Sequence, residues 1–254
     1  MSPKKPLRLN STAITLIWVV VLLALWSLGS AYSLPSLGEL PGAWATLVKE
    51  AGLLYELGVS LKLNLEVTLL STVISVGLAY LTVDRFGKPP VIMLSKFRFF
   101  GMAGFVVIFQ RIFGGGHSLK VAMLTFIMST FFITSMLDVV GSATREQFDH
   151  ARSLRMSRWR GVWEVVVRGK LDQTFDALRQ NAAIGWMSLT MVEGLSKFEG
   201  GVGVIMVNES KYRNLAAIFA VQLTVLFVGI LQDQILGWLK GVVCPHAKLV
   251  LEDK

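Results

Sequence analysis

Apolar residues run along this chain in blocks separated by short polar or glycine-rich breaks, and six blocks are each long enough for a membrane-crossing helix: Thr12–Ser30, Val59–Val83, Val91–Phe113, Leu119–Val140, Gln173–Leu195 and Asn214–Leu239. A helix of about 20 residues crosses the hydrocarbon layer of roughly 30 Å. The expected fold is therefore all-α and polytopic, with six transmembrane helices in a single unit over 1–254. No internal repeat or low-complexity region divides it.

Several blocks are interrupted by polar groups. The second holds Lys62, Asn64 and Glu66, the third Lys96, Arg98, Gln110 and Arg111, and the fifth Asp176, Arg179, Gln180 and Asn181. Long basic side chains near span ends snorkel to the headgroups, which accounts for Lys62, Lys96, Arg98 and Arg111. The deeper polar groups either bond neighbouring helices or line a path. On the second reading Asn64, Thr68, Arg179, Gln180, Asn181 and Ser188 are the candidates.

The breaks differ in character. Between the first two spans, LPSLGELPGAW places Pro35, Gly38, Pro41 and Gly42 in turns, with a short helix expected to begin near Trp44. Trp18, Trp26 and Trp44 suit interfacial anchoring or packing within the bundle. The FGGGHS segment at 113–118 reads as a tight reversal, since its glycines lack the spacing and the following lysine of a phosphate loop. Within Ser196–Arg213, Gly200, Gly201 and Gly203 break the helix, and VGVIMV is too short to span, so a re-entrant or interfacial element is expected.

Composition supports the membrane class: 53% of the 254 residues are hydrophobic and 17% charged, below the roughly 25% charged residues of soluble domains. The net charge of +8 would suit nucleic acid, but the basic residues lie between apolar blocks rather than on a soluble face. They gather on one side. Lys4, Lys5, Arg8, Arg85, Lys88, Lys96, Arg98, the cluster from Arg145 to Lys170, Lys240, Lys248 and Lys254 outnumber Lys49, Lys62, Arg111, Lys120, Lys197, Lys211 and Arg213 opposite. Both termini are accordingly expected in the cytoplasm, with the first apolar block retained as a helix rather than cleaved as a signal peptide.

The densest basic cluster falls in the inner loop at 141–172. In FDHARSLRMSRWRGVWEVVVRGK, Phe148, Ala151 and Leu154 or Arg155 share one helical face, a turn follows near Met156 and Ser157, and Trp159, Val162, Trp163, Val166 and Val167 suit a second helix capped by Ser157. Two uses are open from periodicity alone: resting in anionic headgroups, or docking a water-soluble protein.

This loop resembles the EAA-type cytoplasmic loop of binding-protein-dependent ABC importer permeases, and within them the nitrate, sulfonate and taurine class, whose members often read EAARxLGASRWR. Identity holds at Ala151, Arg152, Leu154, Ser157, Arg158, Trp159 and Arg160, with Asp149 in place of glutamate and Val165 at the isoleucine position. LPSLGEL at Leu34–Leu40 and the late glycine turn extend the resemblance over nearly the whole chain. Three positions depart from the pattern. His150 replaces alanine, Arg155 replaces the glycine, and Arg168 stands where a proline is usual.

The resemblance implies a type I importer-like membrane subunit in a bacterial cell inner membrane. It would work with a second permease subunit, as homodimer or heterodimer, an ABC ATP-binding subunit that holds ATP and Mg, an extracytoplasmic solute-binding protein, and membrane lipid. It would move a small solute, anionic in the resembled class. Asp149, His150, Ala151, Arg152, Leu154 and Arg155 would couple to the ATPase, while Arg158, Trp159, Arg160 and Trp163 would anchor the loop. Glu193, near the outer end of the fifth span, would face water or a solute-binding protein. A non-transporting scaffold or regulatory subunit derived from such permeases is the alternative.

No catalytic residue, metal site or cofactor is expected in the chain itself, and no nucleic-acid partner. It has no GxxxxGK[ST] segment, and His117, His150 and His246 fall in separate segments without a clustered ligand set. The one cysteine, Cys244, excludes an internal disulfide.

Overall fold

The computed structural model describes residues 11–30, 34–83, 86–100, 102–196 and 199–245. The basic N-terminal segment, Arg85, Lys197, His246, Lys248 and Lys254 lie outside the described residues. The helices run in the order α1 (Ser11–Ser30), α2 (Glu39–Glu50), α3 (Leu53–Leu81), α4 (Lys88–Lys96), α5 (Met102–Phe113), α6 (His117–Gly141), α7 (Arg145–Ser153), α8 (Arg158–Val162), α9 (Leu171–Leu195), α10 (Val202–Lys211) and α11 (Leu215–Val243). Among the described residues, α3, α6 and α11 are long and apolar enough to cross a membrane, and α4 with α5 adds a fourth crossing if the bent pair is taken as one. Helix α9 is also 25 residues long, but Asp172, Asp176, Arg179 and Glu193 lower its hydropathy.

Helices α3, α6 and α9 form the centre of the bundle, with α10 and α11 packed on α9. Because lipid is as apolar as leucine, helices associate in a membrane through close packing and polar contacts. Helix α3 supplies both along one stripe: Ser60, Asn64, Thr68, Ser71, Ser75 and Ala79 are all buried. The same crossing point uses Gly185 on α9, where an added Cβ would lie 2.8 Å from Met128 Cε and 3.0 Å from Asn64 Nδ2. Leu63, Val67, Leu124, Met128, Leu189 and Val192 fill the core around it. Phe132 and Met136 form a second cluster with Ala79 and Ala177 towards the other end.

The expected third span is not one helix. The chain bends by 116° between Lys88–Phe99 and Gly104–Phe113, through a 3-10 turn at Phe97–Phe99 and an extended Phe100. Aromatic packing accounts for the fold-back. Phe97, Phe105 and Phe109 each meet Phe126 of α6 at centroid distances of 6.2, 5.1 and 5.6 Å, and Phe100 meets Phe105 at 5.1 Å. A straight helix could not bring rings from both halves onto one phenylalanine.

Two smaller corrections concern α1 and α2. Helix α2 starts at Glu39 rather than near Trp44, with Pro41 in its first turn, where a missing N–H leaves no bond unmade. Trp26 packs edge-on against Phe219 of α11 at 5.0 Å and donates its indole N–H to the Pro35 carbonyl at 3.0 Å, whereas Trp18 and Trp44 are exposed. The glycine-rich break after α5 is the reversal expected, with Gly114 and Gly116 at φ of 72° and 79°.

Candidate functional site: an inner elbow and a polar interior

The loop after α6 folds as an elbow. Thr144 caps α7 through a reciprocal box, its hydroxyl accepting the Gln147 N–H while the Gln147 side chain accepts the Thr144 N–H. This device was legible as Thr144-Arg145-Glu146-Gln147 and is additional to the sequence reading. Helix α7 ends where the Met156 N–H donates to the Ala151 carbonyl at 3.1 Å and the Arg155 N–H to the Arg152 carbonyl at 2.8 Å. That pair of bonds is the Schellman ending, and it requires a left-handed residue after the cap. Arg155 takes that place at φ 55°. The glycine of the resembled pattern thus corresponds to the position where a Cβ is disfavoured, and Arg155 makes the same turn with some strain.

Ser157 stands at the N-cap of α8, as expected, but without a side-chain capping bond; its carbonyl accepts the Gly161 N–H at 2.9 Å. The helix then widens to π geometry over Trp163–Arg168, and Arg168 pairs with Glu164.

The elbow's faces differ from the expectation at Ala151. This residue is buried, its methyl turned towards Gly161 of α8, so it locks α7 to α8 instead of projecting as an apolar knob. Leu154 is exposed and does project. Asp149 and Arg152 are also exposed and pair with each other at 3.2 Å, and His150 and Arg155 are exposed beside them. On the second arm Val162 and Val166 turn inward, while Trp159 and Trp163 are 76% and 57% exposed. Arg160 is exposed as well; the Arg158 side chain lies outside the described residues. A cavity of about 530 Å³ opens between the two arms and Val83, just past the end of α3.

The polar interior is enclosed between helices. Asn64 Oδ1 accepts from Gln232 Nε2 at 3.0 Å, Gln232 Oε1 accepts from the Trp186 indole at 2.7 Å, and Asn181 Nδ2 donates to Ser71 Oγ at 3.3 Å. Asn64, Thr68, Asn181 and Ser188 are all buried. The bonds of Asn64, Gln232, Trp186, Asn181 and Ser71 join α3, α9 and α11 to one another. Gln180 is exposed on the far side of α9, away from this set. Arg179 stands apart from it too, in a two-pronged pair with Asp233 of α11, Nε to Oδ1 at 2.8 Å and Nη2 to Oδ2 at 2.6 Å. The six expected path residues are therefore not one lining.

At the opposite end of the bundle from the elbow, Glu193 overturns its expected exposure. Its side chain is wholly buried, accepting from Ser60 Oγ at 2.7 Å and from the Gly203 N–H at 2.9 Å. Ser60 in turn accepts the Val202 N–H at 2.9 Å, and Glu56 accepts the Gly201 N–H. Buried Lys120 closes the corner by donating to the Gly200 carbonyl at 2.8 Å. Two carboxylates and a hydroxyl thus satisfy the free N–H groups at the start of α10, where the helix dipole favours negative charge. Gly201 permits this at φ 114°, and a side chain there would overlap the Glu193 carboxylate. Beside the corner, His117 lies 3.0 Å from Glu66 and 3.4 Å from Glu199.

Ser60, Glu56, Trp186, Gln232 and Asp233 escaped the sequence reading, and Lys120 entered it only as a basic residue of the outer side. Their signal was present only as polar residues in or beside apolar blocks, with nothing local to pair them.

No protein-family model and no curated protein matches the sequence. Among solved structures, a chain from the crystal structure of an amino acid ABC transporter with histidines is similar in fold, with a TM-score of 0.59 at 14% sequence identity, over 78% of this chain and 96% of that one. With its helical bundle and elbow, this chain has the fold of an ABC transporter membrane subunit.

Proposed function

We propose that the chain is the membrane permease subunit of an ABC importer, moving a small solute across a bacterial inner membrane with energy from a separate ATP-binding subunit. The observation that carries this reading is the elbow between α6 and α9. Its first arm presents Asp149, Arg152, Leu154 and Arg155 outward, and its second arm is bolted to the first through Ala151 and Gly161. Such a body moves as a unit, so a push on α7 reaches α9 through the two residues, Gly169 and Lys170, that follow the π turn. Coupling of this kind is a rigid shift between discrete states.

On this reading the ATPase grips α7, holds ATP and Mg in its own fold and passes its closure to the bundle, while this chain pairs with a second permease subunit. An extracytoplasmic binding protein delivers the solute at the end where Glu193 ties α10 to α3. The exposed Trp159, Arg160 and Trp163 rest against headgroups. The left-handed Arg155 keeps the elbow's turn intact despite the missing glycine, which favours a coupled subunit over a scaffold.

The test is purification of the chain with its ATPase, followed by ATP-driven uptake in vesicles. Asp149→Arg is expected to weaken ATPase association or coupled uptake at unchanged membrane insertion. Full uptake by that variant, at equal abundance, removes α7 from coupling.

A further inference from the structure

Helices α9 and α11 part along their shared face to leave a cleft of about 460 Å³. Its polar end is the Arg179–Asp233 pair, whose side chains are 34% and 47% exposed and line the opening. Gly229 of α11 forms part of the wall, where a Cβ would lie 3.6 Å from the Trp186 ring, in ordinary contact. The remaining walls are largely apolar, including Ala183, Val225 and Ile230, and Trp186 has its indole N–H committed to Gln232. An apolar chamber of this size with a few convergent polar groups is the usual form of a small-molecule site.

The ion pair restricts what such a chamber accepts. A bare anion reaching Arg179 has to displace Asp233 and leave that carboxylate uncompensated in a low-dielectric wall. A bare cation reaching Asp233 strands Arg179 in the same way. A solute carrying both charges avoids either outcome, since its acidic group replaces Asp233 on the guanidinium fork while its ammonium replaces Arg179 on the carboxylate. Every charge stays paired. Arg179 is therefore not the free cation that an anionic solute would need.

We infer that the α9–α11 cleft binds a small zwitterion with an apolar body, its acidic group on Arg179 and its ammonium on Asp233. As a step in transport this rests on the permease reading above; as a binding site it stands on the cleft alone.

The experiment uses the full chain in phosphatidylcholine nanodiscs at neutral pH, titrated with L-phenylalanine, 3-phenylpropionate and 2-phenylethylamine. These probes share one skeleton and differ in which charges they carry. L-phenylalanine is expected to bind on the order of a hundred-fold more tightly than either singly charged probe. Asp233→Asn frees the guanidinium and shifts preference to 3-phenylpropionate, whereas Arg179→Gln shifts it to 2-phenylethylamine. Ala183→Trp leaves the ion pair in place, fills the chamber and weakens all three.

Equal affinity for L-phenylalanine and 3-phenylpropionate, absence of binding by all three probes, or unchanged preference in both charge variants overturns the proposal. The permease reading is judged separately. Loss of ATPase association with phenylalanine binding intact defeats that reading alone, and a chain that couples to its ATPase but binds no probe defeats the cleft alone.

Discussion

Ser60 on α3 donates its hydroxyl proton to Glu193 on α9 at 2.7 Å, and the same oxygen accepts the Val202 N–H at 2.9 Å. One side chain thereby joins two long helices to the start of a third. In a buried corner, losing such a bond leaves its donors without a partner.

Glu193→Ala removes the acceptor for both Ser60 and the Gly203 N–H. A loss of about 2–3 kcal/mol is expected, since a buried contact is broken and its donors are left unmatched. Glu193→Gln keeps one acceptor oxygen and loses less. Thermal unfolding of the full chain in nanodiscs ranks the two; equal midpoints for wild type and Glu193→Ala would remove the corner as a stabilising element.

Glycines on neighbouring helices should respond in opposite directions. At Gly203 an added Cβ would overlap the Thr190 carbonyl, which cannot move without shifting α9, so Gly203→Ala is expected to destabilise by about 2 kcal/mol. Gly77, in the interior of α3, has open space around it. There alanine is expected to stabilise by about 0.5–1 kcal/mol through helix propensity. The same unfolding assay reads both.

Arg155→Gly is expected to stabilise the elbow by about 1 kcal/mol, because glycine adopts φ 55° without the Cβ penalty. Arg155→Ile moves the other way. Hydrogen exchange over 145–162 is the measurement, and slower exchange in the isoleucine variant than in the glycine variant would contradict the left-handed turn.

Thr144→Ala removes the capping bond to the Gln147 N–H. A local loss of about 1 kcal/mol is expected, seen as faster exchange of amides in α7 with those in α6 unchanged.

The charges of Arg179 and Asp233 test α9–α11 packing in a double-mutant cycle. Either neutralising substitution alone lowers stability. The interaction energy left after combining them is expected near 1 kcal/mol, the scale found for polar contacts between membrane helices. Strict additivity of the two changes would show that the pair contributes nothing to holding α9 on α11.

Hydropathy along the chain located α6, α9 and α11 within a few residues, and α3 apart from its first six residues, because helix length and turn chemistry are local properties. The same local chemistry gave the reversal at Gly114–Gly116 and the two-armed form of the elbow. It misjudged the run from Val91 to Phe113, where apolar composition suits a straight helix and the break depends on Phe126, a residue of the next helix.

Which polar residue meets which is a different kind of information. Asn64 and Gln232 are 168 positions apart, Ser60 and Glu193 are 133 apart, and Arg179 and Asp233 are 54 apart. A span's composition says that such groups need partners, since the bilayer offers none. Packing of three helices around the small side of α3 chose those partners, and so turned Glu193 from an expected surface carboxylate into the buried anchor of α10.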